Sequence, residues 1–287
     1  MSLYAADSHV KLRRAQSLVM LSLCTVAALV GIAVLGLVLY FLAARGLSHL
    51  NFKLFTVASG DGDGFAQSIR GTLQILGVAC AIAVPIGILG GIYQQESKGK
   101  FANTVRFLTD VLNGIPSIVI GIFVYAALVL PISQKFPGKG YSGWAGGVAL
   151  AIMMLPLIMR TTEEMLRLVP NALSEASLGL GATRWRTMLS VVLPAARGGI
   201  LTGILLAVAR VAGETAPLIF TILGNEFMGK MDGQVDALPL RLFKYATDVD
   251  EKHNQIAWAA ALTLILMVLL MSIAARLATR SRMQEDK

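Results

Sequence analysis

Six apolar stretches, each long enough to cross a lipid bilayer as a helix, constrain the fold of this chain more than any other feature. They are Leu18–Leu42, Gly71–Gln94, Val111–Ser133, Gly143–Met159, Gly198–Ile222 and Ile256–Ala275. About 20 apolar residues span the hydrocarbon core, and a spanning helix satisfies its own backbone hydrogen bonds. Because 55% of the residues are hydrophobic and 15% are charged, the composition is also that of a membrane protein. The sequence predicts an all-α polytopic protein with one six-span domain.

The flanks of these stretches divide the chain into a leader, a membrane domain and a tail. We expect a short polar leader over residues 1–17, a six-span domain over 18–275 and a tail over 276–287. The largest inner loop of the domain runs from about 160 to 197. The first apolar stretch is too long for the core of a cleaved signal peptide, so it is expected to remain as an anchor.

The distribution of basic residues predicts the orientation. If the N-terminus lies inside the cell, 15 of the 25 Lys and Arg residues fall in inner segments, nine fall in outer segments and Arg210 lies within a span. Because inner loops of membrane proteins are enriched in Lys and Arg, we expect both termini in the cytoplasm. The same asymmetry accounts for the formal net charge of +8, so the basic composition requires no nucleic-acid partner.

Several residues inside the predicted spans are expected to be structural. The prolines that should bend spans are Pro85, Pro116, Pro156 and Pro217. Cys24 and Cys80 are expected to be buried packing residues rather than a disulfide or a metal pair. The three histidines are scattered, and no Ser-His-Asp or Cys-His spacing suggests a catalytic nucleophile.

The loop between the fourth and fifth apolar stretches contains a pattern that predicts two short helices joined by an elbow. It reads Glu175-Ala176-Ser177, then Gly181, then Val191-Val192-Leu193-Pro194. Glycine favours the end of the first helix at Gly181, and Thr183 can cap a second helix that Pro194 is expected to end. Trp185 and the apolar residues that follow it at helical spacing give the second helix an apolar face.

This pattern resembles the EAA loop of ABC importer permeases, which reads E-A-A, three residues, G, nine residues, then I-x-L-P. The chain departs from it at Ser177, which replaces the second alanine, and at Val191, which replaces isoleucine. The resemblance implies the ABC type I importer permease fold, with a coupling helix that docks into a groove on a cytoplasmic ATPase subunit. The residues that it assigns to coupling are Glu175, Ala176, Gly181, Trp185, Leu193 and Pro194. An ordinary amphipathic helix at the membrane surface is the alternative, but it leaves the glycine elbow unexplained.

Two ionisable residues lie inside the fifth apolar stretch, where charge is costly. Arg210 and Glu214 are four residues apart, so on a continuous helix they share a face and can pair. A charged side chain at the centre of a span costs about 2.5–3.5 kcal/mol unless it faces protein or water. The two residues form either a structural ion pair at a subunit contact or part of an anion path, since guanidinium suits a tetrahedral oxyanion. Arg160, at the inner end of the fourth stretch, is either a second station on that path or a positive-inside anchor.

Two motifs narrow the resemblance to the permeases of the phosphate-specific ABC importer, and among them to the A-type subunit. Residues 210–218 read R-V-A-G-E-T-A-P-L, and residues 113–121 read N-G-I-P-S-I-V-I-G. The resemblance implies a bacterial inner-membrane protein that forms a heterodimeric core with a homologous second permease subunit. It also implies two cytoplasmic ATP-binding subunits, a phosphate-binding protein outside the membrane and an import route between the permeases. The substrate-path residues are Arg210, Glu214, Thr215 and Arg160, and those on the coupling side include Glu163, Glu164 and Glu175.

The motifs that the sequence lacks also limit its function. It contains no G-x-x-x-x-G-K-[ST] phosphate loop, so this chain is not expected to hydrolyse ATP itself, and in an ABC importer a partner subunit would do so. The chain is therefore expected to be a transport subunit rather than an enzyme, without a cofactor of its own. Two alternatives stay open. One is a permease subunit for another oxyanion, such as sulfate or molybdate. The other is an ATP-independent anion channel or carrier that uses Arg210 and Glu214 as a relay.

Overall fold

Helices account for nearly all the regular structure in this protein. A computed structural model describes the backbone of residues 3–284 and the side chains of residue 10 and residues 12–277. The α-helices are α1 (Leu3–His49), α2 (Phe52–Thr56), α3 (Ala66–Glu96), α4 (Lys100–Gly114), α5 (Ser117–Val124), α6 (Leu130–Lys135), α7 (Gly143–Arg167), α8 (Asn171–Gly179), α9 (Arg184–Thr187), α10 (Leu193–Ala212), α11 (Ala216–Thr221), α12 (Leu238–Ala246) and α13 (Glu251–Gln284). Two π-helical turns, π1 (Tyr125–Val129) and π2 (Met188–Val192), continue α5 into α6 and α9 into α10.

Six helical stretches within the described residues are long and apolar enough to cross a membrane. They are Leu12–His49, Ala66–Glu96, Ser117–Lys135, Gly143–Arg167, Arg184–Ala212 and Glu251–Leu277. Each overlaps one of the six stretches predicted from the sequence, so the all-α, six-span fold is confirmed. We call the end of the bundle that carries α8 and α9 the elbow end. The opposite end, which carries residues 223–250, is the loop end.

The main core lies between α3, α7, α10 and α11. Its buried side chains include Ile75, Leu150, Val211 and Leu218, one from each of these helices. Glycine lets α3 and α7 approach closely, because a Cβ on Gly87 would lie 2.8 Å from the Cβ of Ile158. Small residues at helix contacts permit such packing in membranes. The helix that carries Arg160 is therefore held firmly against α3.

The predicted leader and tail are largely continuous with the first and last helices. Helix α1 begins at Leu3, and α13 continues to Gln284. Residues 1, 2 and 285–287, the ends of the predicted leader and tail, lie outside the described residues. The side chains of four basic residues that entered the orientation argument also lie outside the described set: Lys11, Arg280, Arg282 and Lys287.

The third span starts later than the sequence suggested. The predicted start at Val111 is wrong, because residues 100–114 form the separate helix α4 and the span begins at Ser117. Ile115 is extended, with φ −74° and ψ 129°, because the ring of Pro116 disfavours the helical conformation in the preceding residue. Pro116 therefore separates two helices instead of bending one.

The fourth span is longer than the sequence suggested. Helix α7 continues from Met159 to Arg167 because no residue in that segment breaks a helix. Arg160, Glu163 and Glu164 are therefore held on a rigid helix and do not lie in a loop.

The fifth span differs from the prediction at both ends. Pro194 was expected to end a short helix, but α9, π2 and α10 form one continuous helix from Arg184 to Ala212. The π turn ends two residues before Pro194, where its wider spacing accommodates a residue that lacks an N–H. At the other end the helix stops at Ala212, and α11 begins after Gly213-Glu214-Thr215 with Pro217 in its first turn. The predicted continuation to Ile222 is wrong because the ring of Pro217 would clash with the carbonyl of Gly213 in a continuous helix.

The segment between α11 and α13 folds back into the bundle at the loop end. Residues 238–246 of this segment form the short helix α12. It packs on protein, since Leu238 and Leu240 are at most 1% exposed. Gly71 on α3 leaves room for the backbone carbonyl of Asp236, which a Cβ would displace. This loop is therefore an integral part of the core.

Helix α1 touches the rest of the bundle only near its end, as far as the described side chains extend. Leu42 is buried, and a Cβ on Gly46 would lie 2.8 Å from the Cβ of Leu262 on α13. The preceding apolar turns are exposed, including Cys24. The expectation that Cys24 is buried is therefore wrong for this chain alone, and Cys80 is partly buried.

Candidate substrate path and coupling elbow

The predicted elbow forms at the expected residues. Helix α8 ends at Gly179, and Gly181 has a φ of +87°, a conformation that glycine adopts without steric cost. Backbone bonds close the turn, with Leu180 N donating to Ala176 O at 3.1 Å and Ala182 N donating to Ser177 O at 3.2 Å. Thr183 caps α9 by accepting a bond from Arg186 N at 3.4 Å. The glycine hinge and the threonine cap predicted from the sequence are confirmed as geometry.

A side-chain bond braces the elbow. The hydroxyl groups of Ser177 on α8 and Thr187 on α9 are 2.9 Å apart, and Thr187 is 2% exposed. Ser177 is the residue that departs from the E-A-A pattern. An alanine there would leave a buried hydroxyl without this partner, so the departure has a structural role in this chain.

The outer surface of the elbow is apolar. Leu180 is 91% exposed and Trp185 is 59% exposed, and Glu175 and Ala176 are exposed beside them. A groove of about 370 Å³ lies between the end of α3 and α9, lined by Leu89, Ile92, Tyr93, Glu96, Ser97, Arg184, Trp185 and Met188. Leu180 lies outside the spans and Trp185 lies at the start of one, so this apolar surface at the end of the bundle is suited to a contact with another protein.

Not all the predicted coupling residues belong to this surface. Leu193 and Pro194 lie in the first turn of α10, after π2, and do not line the groove between α3 and α9. The residues of the predicted apolar face of the second helix do not all point in the same direction. Met188 and Val192 are 4% and 7% exposed and pack inward, whereas Trp185 and Leu189 face outward.

Arg210 lies on an unpartnered face of the fifth span. It is exposed in the last turn of α10, in line with exposed Gly198, Thr202 and Leu206 at intervals of four residues. The neighbouring Val211 lines a small cavity together with Leu150. Because Leu150 is seven residues from the start of α7, this level lies about 10 Å inside the loop end of the helix. Arg210 therefore stands at membrane depth on a face that the described residues do not cover.

The predicted pairing of Arg210 with Glu214 does not form. The two residues do not share a helix face, because the helix ends at Ala212 and Glu214 lies in the following bend. No ion pair between them occurs among the described side chains. Glu214 is half-buried, and Thr215 donates a hydrogen bond from Oγ1 to the carbonyl of Pro239 at 3.3 Å. This hydrogen bond connects the bend after Arg210 to α12.

Arg160 belongs to a cluster of charged residues on α7, towards the elbow end. Its Nε donates to Glu164 Oε1 at 2.9 Å, and its Nη1 lies 3.7 Å from Glu163 Oε2. Glu163 itself is 1% exposed and also binds Arg106 and Arg167. The sequence analysis assigned Glu163 to coupling and counted Arg106 only among the inner basic residues. The spacing of Glu163 from Arg160 and Arg167 was a usable signal, since residues three and four apart on a helix are neighbours.

The structure does not bring Arg160 and Arg210 together. Thr161, next to Arg160, packs against Gly203 on α10. Gly203 is seven residues before Arg210 on the same helix, which corresponds to about 10 Å along the helix axis. The two arginines are therefore separated by about 10 Å along the axis of α10.

A second buried charge cluster, at the loop end, was missed. Asp236 accepts hydrogen bonds from Arg241 Nε at 2.7 Å and from Ser68 Oγ at 2.5 Å, and both charged side chains are at most 2% exposed. Burial raises the pKa of Asp236, and the nearby Arg241 and Ser68 oppose that effect. Because this loop contains several acidic residues, the sequence did not show which of them pairs with Arg241. It anchors residues 236–241, which contact the bend after Arg210.

Comparisons with known proteins agree with this geometry. Residues 83–283 match the model of the family described as binding-protein-dependent transport system inner membrane component. The phosphate transport system permease protein PstA of Pasteurella multocida (strain Pm70) is 40% identical over 278 residues, which cover 95% of this chain and 97% of that protein. PstA of Haemophilus influenzae is 40% identical over 271 residues, with coverage of 92% and 94%.

A solved structure has the same fold. The MetNI methionine ABC transporter, in inward-facing conformations, matches with a TM-score of 0.56 at 20% sequence identity, over 75% of this chain and 93% of that one. The predicted type I importer permease fold is thereby confirmed. This chain belongs to the family of binding-protein-dependent transport system inner membrane components, together with the PstA permease proteins.

Proposed function

We propose that this chain is the membrane-spanning permease subunit of an ATP-driven importer of inorganic phosphate. The relatives that it matches over nearly their whole length are named for phosphate transport. It lies in the bacterial inner membrane, with the elbow end and both termini in the cytoplasm. The positive-inside distribution of Lys and Arg supports that orientation.

The complete importer contains several partners. ATP-binding subunits dock on the elbow at the cytoplasmic side, and a phosphate-binding protein delivers substrate at the loop end. Two ATP-binding subunits and one homologous second permease complete the assembly. The exposed apolar surface around Leu180 and Trp185 suits a stable protein contact. The exposed stripe that ends at Arg210 suits the second permease.

The single observation that carries the substrate assignment is the exposure of Arg210 at membrane depth. A charge facing lipid at the centre of a span costs about 2.5–3.5 kcal/mol. The face must therefore border a second protein or a water-filled route. Guanidinium is planar and always charged, so it binds a tetrahedral oxyanion through paired hydrogen bonds.

Arg160 gives the route a second station nearer the cytoplasm. The side chain of Arg160 is 44% exposed, and the side chain of its hydrogen-bond partner Glu164 is 49% exposed. An anion that leaves Arg210 can be received there about 10 Å further along. Binding and hydrolysis of ATP by the partners move the elbow, and the two permeases open alternately to the two sides. The chain itself performs no chemical reaction.

The substrate assignment is tested by Arg210→Gln in the reconstituted importer. Phosphate uptake should fall at least about tenfold, as expected for loss of a charge-assisted contact. Arg70→Gln, which changes an exposed arginine at the start of α3, should leave uptake unchanged. Equal uptake by the wild type and Arg210→Gln would remove Arg210 from the path. Competition by sulfate or molybdate in the wild type would identify another oxyanion as the substrate.

The coupling assignment is tested separately at the elbow. Glu175→Lys reverses an exposed charge, and Gly181→Trp forces a bulky residue into a left-handed backbone conformation. Both variants should insert into the membrane and fail to transport. Uptake at the wild-type rate in both would contradict the docking role, as would phosphate transport by this chain without an ATP-binding subunit.

A further inference from the structure

The carboxylate of Glu163 is the most enclosed charge on α7, and three arginines surround it. Its Oε1 binds Arg106 Nε at 2.9 Å and Arg167 Nη2 at 2.8 Å. Its Oε2 has no hydrogen-bond partner within the described part of the chain. The guanidinium of Arg160 lies 3.7 Å from Oε2. Two arginines thus neutralise Glu163 through one oxygen, while the third stands just outside hydrogen-bonding distance of the other.

Arg106 is the better fixed of the two arginines that hold Glu163. Its side chain is 27% exposed, against 62% for Arg167. Besides Glu163 on α7, it donates to the backbone carbonyl of Gln94 at the end of α3 and to Asn103 Oδ1 on α4 at 3.2 Å. Arg106 therefore joins three helices and has little freedom to move. Arg167 is largely in solvent, which screens its attraction to Glu163.

Arg160 is only loosely held by comparison. Its hydrogen bond goes to Glu164, whose side chain is 49% exposed, and exposed pairs of this kind contribute little. A buried carboxylate without sufficient neutralisation binds a nearby cation strongly. If Arg106 were absent, the guanidinium of Arg160 would be a close donor for Oε2 of Glu163. The guanidinium of Arg160 needs to move less than about 1 Å to form that bond.

We infer that Arg106 is a positioning residue for the transport path. It neutralises the buried Glu163 so that the guanidinium of Arg160 stays available to the substrate anion. This inference rests on the proposed function, in which Arg160 is a station on the path. Three of the five N–H groups of Arg106 bind Glu163, Gln94 and Asn103, so its role in this inference is to position Arg160 and not to bind the anion.

The test compares phosphate uptake by importers that carry single and double substitutions of Arg106 and Glu163. Arg106→Gln should reduce uptake about tenfold, because Glu163 then captures Arg160 in a charge-assisted bond. Arg106→Lys keeps the positive charge and should retain uptake within about threefold of the wild type. The double variant Arg106→Gln/Glu163→Gln should recover most of the lost uptake, because the competing carboxylate is gone. Arg167→Gln is the matched control for loss of an arginine beside Glu163 and should have little effect.

The outcomes separate this inference from the function on which it rests. Equal losses in Arg106→Gln and Arg106→Lys, or a double variant no better than Arg106→Gln, would overturn the positioning role and leave a structural hydrogen bond. Arg160→Gln is measured in parallel. If it transports phosphate at the wild-type rate, the path assignment itself is wrong, whatever the Arg106 variants do. Co-purification of the ATP-binding subunits with each variant establishes that the complexes are assembled.

Discussion

At the scale of single residues, backbone conformation decides which substitutions of glycine destabilise the elbow. Gly179 and Gly181 lie two residues apart, and a Cβ added to either would meet nothing within 4 Å. Only Gly181 has a positive φ, of +87°. The two positions therefore differ in backbone strain and not in available space, which makes them a matched pair.

Gly181→Ala should weaken the elbow, and Gly179→Ala should not. Alanine in the left-handed region costs about 1–2 kcal/mol, whereas alanine at the end of α8 is favoured over glycine by up to about 1 kcal/mol. Hydrogen exchange of the amides in residues 176–187 should be faster in Gly181→Ala and equal or slower in Gly179→Ala. Equal exchange rates in the two variants would mean that the stability of the turn does not depend on glycine at position 181.

The buried pair of Asp236 and Arg241 offers a second residue-scale prediction. Arg241→Met leaves a buried carboxylate without its main partner, which costs about 3–5 kcal/mol. The purified protein should unfold at a clearly lower temperature. Lys252→Met is the control, because the Lys252–Asp63 pair has the same 2.7 Å distance but both side chains are 60% exposed. A control variant as unstable as Arg241→Met would show that burial is not the deciding factor.

The sequence predicted some residues of the site well and others poorly, for a physical reason. The turn at Gly181 and the cap at Thr183 depend on local chemistry, and both were found. The pairing of Arg210 with Glu214 assumed a continuous helix, which Pro217 interrupts. Glu163 and Arg106 are 57 residues apart in sequence, so only the packing of α4 on α7 reveals their contact.

At the scale of helices, the prolines show how context changes the effect of one residue type. Pro85 and Pro156 lie inside α3 and α7, as expected. Pro116 and Pro217 instead stand at the start of new helices. Pro131 and Pro194 each follow a π turn by two residues, and the helix continues through them. The sequence predicted that prolines bend or end helices. It could not show which proline would lie inside a helix, which would start a new one and which would follow a π turn.

The brace between α8 and α9 gives a prediction at this scale. Ser177→Ala removes the bond to the buried hydroxyl of Thr187, a loss of about 1 kcal/mol. Amides in the first turn of α9 should exchange about fivefold faster, since that energy corresponds to about a fivefold change in an opening equilibrium. Ser174→Ala, on the same helix, should have no such effect. Unchanged exchange in Ser177→Ala would mean that the glycine turn alone sets the angle between the helices.

At the scale of the whole molecule, one face of the fifth span is uncovered. Gly198, Thr202, Leu206 and Arg210 follow one another along it, all exposed. The sequence predicted a charged residue within the fifth span, but it could not show on which face of the helix Arg210 lies, because that depends on how α10 packs against α3 and α7. The opposite side of α10 is buried, as Ile200 at 4% exposure illustrates.

Cysteine cross-linking should identify what covers this face. In a chain with Cys24 and Cys80 replaced by alanine, Thr202→Cys should be captured by a cysteine on the fifth span of the second permease. Ile200→Cys, which points into the bundle, should not react. A cross-link from Ile200→Cys alone would contradict the assigned face, and no cross-link from either position would place lipid against Arg210.

The continuous helix from Arg184 to Ala212 has one more consequence. It begins beside the glycine turn and is about 43 Å long, and Arg210 stands in its last turn. A continuous helix is stiff along its axis. A displacement of its first turn therefore moves its last turn directly, without rearrangement of the side chains between them. Under the proposed function, one end of this helix lies where the ATP-binding subunits dock, and the other end places Arg210 on the substrate path.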